Sequence, residues 1–252
     1  MPEGREEFYV GYEPQAPPGL VRHRRRTVLA LLLAAPVVAA LAAGFQGPFA
    51  DAVFEYGQPR SFEGRLIEGP YPALEVERPA EHAGETHLLV ARGKRGAAAL
   101  VAGLDGHAVA LEGQLIYRGD AKMIEIGAGG VLDRGPAGER RPAGRSLGEQ
   151  RLAGEIVDGK CYLGVMKPGA GKPHRACAAR CISGGAPAML RAEDRGGETA
   201  LYLLVGRDGR PLGPELLPWV AEPVAVAGEV VRSGRLWQLR TEPRDITRLA
   251  PR

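Results

Sequence analysis

Two stretches decide the fold: Val109-Ala110-Leu111-Glu112-Gly113-Gln114-Leu115-Ile116 and Val224-Ala225-Val226-Ala227-Gly228-Glu229-Val230-Val231. Each alternates apolar and small or polar residues with the period of a half-buried strand, and each carries a glycine where a strongly bent strand needs a bulge. Reading outward, the same succession of pieces flanks both. Phe62-Glu63-Gly64-Arg65-Leu66-Ile67 and the run Thr86 to Val90 precede the first, and Met123-Ile124-Glu125-Ile126 follows it. Leu152-Ala153-Gly154-Glu155-Ile156-Val157 and the run Ala200 to Val205 precede the second, and Leu236-Trp237-Gln238-Leu239 follows it. Two copies are too few for a solenoid, which generally needs three or more repeats to bury a continuous core, so the repeat predicts tandem modules.

Five short, bent strands per copy suit a small closed barrel, and the pattern resembles the OB-fold. In outline it is similar to the membrane-anchored periplasmic haem chaperone of cytochrome c maturation, with one anchor helix and then one OB barrel. The likeness covers strand patterning alone. That family's haem-attaching histidine motif has no match here, so its haem activity is not implied. The expected organisation is mainly β: a tail over 1–26, a transmembrane anchor over 27–45, a first OB-like module over 58–128, a linker over 129–150 and a second OB-like module over 151–245. The linker reading rests on the Gly, Pro and Arg content of Asp133 to Ser146.

Thr27 to Phe45 carries no charge, over a length close to the roughly 20 residues that span a bilayer. Arg22-His23-Arg24-Arg25-Arg26 stands just before it, which by the positive-inside rule leaves the tail in the cytoplasm and the bulk outside. A single-pass protein of a bacterial inner membrane is therefore expected, with its C-terminal bulk in the periplasm. Ala40-Leu41-Ala42 is an acceptable cleavage site, so a removed signal peptide is the competing reading. Arg25-Arg26-Thr27-Val28-Leu29 also resembles a twin-arginine export signal, a route that carries folded, cofactor-loaded proteins. In the tail, Phe8, Tyr9 and Tyr12 form an aromatic patch suited to a neighbouring membrane subunit or to the lipid interface.

The formal net charge of +3 is too small to argue for nucleic acid, and export disfavours it further. No asparagine is present, which removes N-glycosylation. The fingerprints of serine hydrolases, zinc proteases, P-loop enzymes and dinucleotide-binding enzymes are all missing.

The copies differ most between their first strand and the run that begins at Thr86 or Ala200. In the second copy this connection, an insertion over 158–198, is longer by roughly 20 residues, a length more often functional than not, and it holds all three cysteines, Cys161, Cys177 and Cys181. Pro173 as a helix start and Gly184-Gly185 as a stop predict one short helix. On it His174, Cys177 and Cys181 share a face, and Cys161 could complete a set of three thiolates and one imidazole. Zinc, copper or an iron–sulfur cluster would choose such ligands. A disulfide from Cys161 to one of the other two, tying down the loop, and a reactive redox thiol are the alternatives. Lys160, Lys172, Arg175 and Arg180 would lower the thiol pKa values, or else simply be solvated. Met166 and Met189 flank the cluster and are expected to pack. His82, His87 and His107 read as scattered surface residues. Tyr202, Trp219 and Trp237 are expected in the second core or on its rim. The functional expectation is an accessory or assembly subunit of a membrane redox system, partnered by a membrane protein through the tail and anchor. The alternative is an interaction module whose cysteines form a structural disulfide.

Overall fold

A computed structural model describes residues 17–45, 51–138, 144–193, 199–233 and 236–250. The chain divides into two compact units, Met1–Phe49 and Ala50–Arg252. Phe8, Tyr9 and Tyr12 lie outside the described residues. In the first unit, helix α1 spans Pro18–Gly44, with Pro18 at its first position, where a missing N–H costs nothing, and Pro36 inside it. It is long and apolar enough to cross a membrane, a property that an N-terminal signal sequence shares.

The second unit is mainly β. Its N-terminal half comprises β1 (Ala52–Phe54), β2 (Arg60–Ile67), β3 (Ala73–Arg78), β4 (Thr86–Ala91), β5 (Arg95–Gly96), the one-turn helix α2 (Ala98–Val101), β6 (His107–Arg118) and β7 (Ala121–Pro136). Its C-terminal half comprises β8 (Arg145–Asp158), helix α3 (Arg175–Ser183), β9 (Ala188–Glu193), β10 (Thr199–Gly206), β11 (Pro223–Ser233), β12 (Leu236–Thr241) and β13 (Ile246–Arg248). In the C-terminal half the pairings run β8–β9–β10–β12–β11 and back to β8, a five-stranded barrel with one parallel joint between β10 and β12. The N-terminal strands have the same succession of neighbours, β2–β3–β4–β7–β6. There β3–β4 and β4–β7 pair over only three residues each, and β1 and β5 are added at the edges. This half is a seven-stranded sheet and not a closed barrel, which corrects the expectation of two barrels.

The glycines of the repeat act alike in both copies. A Cβ on Gly64 would stand 2.0 Å from the Glu75 carbonyl oxygen, and one on Gly154 would stand 2.2 Å from that of Arg191. Gly113 and Gly228 meet Glu125 and Arg240 in the same way, beside register shifts in β6 and β11. Each is a place where two strands cross too closely for any side chain.

The expected linker over 129–150 is mostly strand, since β7 runs on to Pro136 and β8 opens at Arg145. Part of the loop-like composition, Gly135 at φ +94° and Pro136, belongs to β7 itself. The insertion is shorter than expected, because β9 lies inside 158–198 as the partner of β8 and β10. Nor are the halves separate beads. Phe62, Leu74, Leu111 and Ile124 centre one core, and Ile156, Leu204, Val226 and Leu239 another. A third joins the halves through Tyr71, Leu88, Ile116, Val157, Leu163, Met189 and Leu203. Tyr71 seals this junction by donating to the Leu212 carbonyl at 2.5 Å. Tyr202, Trp219 and Trp237 pack on the second core, as expected.

Candidate metal centre

The insertion begins where β8 ends. Asp158 is fully buried and accepts the Cys161 backbone N–H at Oδ1, 2.8 Å away, which caps the turn Cys161–Val165. Gly164 lets this turn lie on β1, since a Cβ there would stand 2.3 Å from the Val53 carbonyl oxygen. Tyr162 and Leu163 enter the junction core. After a 3₁₀ turn over Lys172–His174, α3 runs to Ser183 and stops at Gly184. Pro173 and Gly184-Gly185 thus bound the short helical segment as the sequence predicts.

Cys177 and Cys181, one turn apart on α3, face Cys161. Cys161 Sγ lies 3.8 Å from Cys177 Sγ and 3.9 Å from Cys181 Sγ. All three thiols are free, Cys161 and Cys181 are buried, and Cys177 is half-buried. Their sulfurs lie within 4.8 Å of one another, close enough to hold a metal ion together. His174 is turned aside: its Nε2 meets Asp158 Oδ2 at 3.0 Å, and the buried ring forms a second group with Asp158 and Cys161. Cys161 is the member common to both groups.

The thiols are electrostatically unequal. The Cys161 pKa is pushed up by its hydrogen bond to Cys181, by burial and by the Asp158 carboxylate. The same hydrogen bond holds the Cys181 pKa down, with help from Lys94. Of this pair, Cys181 is the one whose thiolate form the surroundings favour.

The cation beside the cluster is not one that the sequence suggested. Lys94, in the turn between β4 and β5, donates to Cys177 Sγ at 2.7 Å. Of the four cations expected to act on the thiols, Lys160 is buried instead of solvated and pairs with Glu125, while Arg175 pairs with Glu222. Nothing in the local sequence marked Lys94, because folding alone brings it across from the other half. Asp158 was legible in principle, as an Asp three residues before a cysteine at a strand end. Met189 is buried in the junction core and Met166 is exposed.

The histidines of the N-terminal half require a correction. His82 and His87 are buried and both meet Glu85, at 3.2 and 3.0 Å, so they are not scattered surface residues. The spacing His-x-x-Glu-x-His carried that signal. A cation already sits among them, since Lys122 Nζ lies 2.6 Å from Glu85 and 3.3 Å from His82. His107 does stand apart, paired with Asp133 near the surface.

No protein-family model matches the sequence, and no curated protein matches it.

Proposed function

We propose that this chain is an accessory or assembly subunit of a bacterial membrane redox system, anchored by α1 with its bulk in the periplasm, and that Cys161, Cys177 and Cys181 hold a soft metal ion. The observation that carries the reading is the convergence of the three thiols. Thiolates sharing a tetrahedral zinc ion at about 2.3 Å would stand ~3.8 Å apart, and Cys161 Sγ stands 3.8 and 3.9 Å from its two neighbours. A disulfide would need its sulfurs at about half that distance. Zinc and copper(I) are favoured over an iron–sulfur cluster, whose usual binding takes about four cysteines. His174 is the candidate fourth ligand. Its ring groups with Asp158 and Cys161, and a hydrogen bond to a carboxylate such as Asp158 is the arrangement that orients a ligating imidazole. The shared order of strand neighbours supports reading both halves as OB-like modules.

The test is elemental analysis of the full chain, reduced and purified in detergent without chelator. One equivalent of zinc or copper is expected, lost in Cys161→Ser and reduced in His174→Ala. A reduced chain that takes up no metal refutes the proposal. A single titratable thiol in the chain as isolated would instead favour the disulfide-bonded interaction module.

A further inference from the structure

Between the two halves lies a cleft of about 490 Å³, distinct from the cysteine cluster. One wall is apolar, presented by the half-buried Leu201, Leu236 and Trp237 and backed by Leu88, Leu163, Met189 and Leu203 of the junction core. Two arginines line it as well. The Arg118 guanidinium lies over the Tyr162 ring at 3.9 Å, and that of Arg232 over Trp237 at 5.1 Å. Stacking fixes the plane of the Arg118 guanidinium, so little of its freedom would be lost on binding a ligand.

Arg118 is the informative one. Among the described residues no carboxylate pairs with its side chain, and its Nε is buried with no hydrogen-bond partner. A permanent cation that lines a cleft without a counter-charge favours an anion there. The acids lining the cleft do not supply one: Glu85 is engaged by Lys122 and the histidines, and Asp120 is exposed.

We infer that this cleft binds an amphipathic anion, a phosphate or carboxylate head on Arg118 with an alkyl chain along the leucine wall. The volume falls within the range of small-molecule sites, about 300 to 1,000 Å³, and the lining divides as such a ligand requires. The inference stands independently of the metal proposal, since neither arginine nor the leucine wall belongs to the cysteine cluster.

The experiment is calorimetric titration of the full chain in phosphatidylcholine nanodiscs, with empty nanodiscs subtracted. The probes are octyl phosphate and octanoate, compared with inorganic phosphate and octyl glucoside. One saturable site is expected for at least one of the two amphipathic anions, and the tighter of them indicates a phosphate or a carboxylate head. Inorganic phosphate and octyl glucoside should bind at least about tenfold more weakly, since each lacks half of the recognition. Arg118→Gln should weaken binding by about ten- to a hundredfold, the value of a charge-assisted hydrogen bond. Ala200→Trp, which places an indole in the cleft lining, should abolish it. No saturable binding, equal binding of either comparison probe, or unchanged affinity in Arg118→Gln or Ala200→Trp overturns the inference.

Discussion

Consider the replacement of Lys160 by Met. Lys160 is 2% exposed, and its ammonium donates to the carbonyls of Ala91, at 2.7 Å, and Gly93, at 2.6 Å, while pairing with the carboxylate of Glu125, a residue 7% exposed. Lys160 belongs to the C-terminal half and all three partners to the N-terminal half. Methionine keeps most of the volume but leaves one buried charge and two carbonyls without their donor. Removing one member of a buried pair typically costs about 3–5 kcal/mol, against ~1 kcal/mol or less for an exposed pair. The assay is urea unfolding of the detergent-solubilised chain followed by tryptophan fluorescence; both tryptophans, Trp219 and Trp237, lie in the C-terminal half. A loss of about 3 kcal/mol or more is expected. The double variant Lys160→Met with Glu125→Leu should recover a large part of it, because the orphaned charge is then gone. A loss below ~1 kcal/mol, or additive effects of the two changes, would refute the view that this pair locks the halves together.

Three further outcomes follow from the same packing. Stability should fall as pH drops from about 6.5 toward 2: burial lowers the His87 pKa from 6.5 to about 4, so the folded state resists protonation that the unfolded chain accepts. Glu85 extends the loss below about pH 4.5, since the hydrogen bonds of Lys122 and His87 outweigh its burial and hold it at about 2. His87→Gln should flatten the upper limb, worth on the order of 3 kcal/mol, in pH-dependent unfolding curves. Gly154→Ala should cost at least about 1–3 kcal/mol, because the new Cβ would stand 2.2 Å from the Arg191 carbonyl oxygen; an unshifted urea midpoint would show that β8 and β9 can part without loss. Finally, maleimide should label half-buried Cys177 well before Cys161 and Cys181 in the reduced native chain, with peptide mapping as the readout; equal labelling would contradict the burial described above.

The repeat was legible because its glycines are dictated by strand crossings, and a crossing allows no substitute. Gly64 and Gly154, or Gly113 and Gly228, therefore mark equivalent positions even where the surrounding residues differ. Strands β3 and β9 were not separately legible. Ala73–Arg78 and Ala188–Glu193 are short and mix charge with apolar residues, so their alternation resembles loop. The bulged end of β7 hid for a related reason: its glycines are those of a turn. At the site, sequence spacing brought out Cys177 and Cys181, because i and i+4 on a helix are neighbours whatever surrounds them. Lys94 and the cleft were not legible, since both exist only where one half meets the other.

That meeting also bears on what the insertion is for. A disulfide is useful to a loop that nothing else orders, and this segment is ordered already. Tyr162 and Leu163 are buried in the junction core, Lys160 is fixed by three partners, and Gly164 lies against β1. At the far end Gly96 donates its N–H to the Gly184 carbonyl at 2.8 Å. With the segment held at both ends by the other half, a cross-link would add little to its order. Three free thiols brought together in a segment already ordered then call for another explanation. A metal ion supplies one, because it gains from the preorganised sulfurs the affinity that a floppy loop would have lost to ordering. On this argument the Lys160→Met variant should weaken metal retention along with stability, whereas a disulfide would survive it.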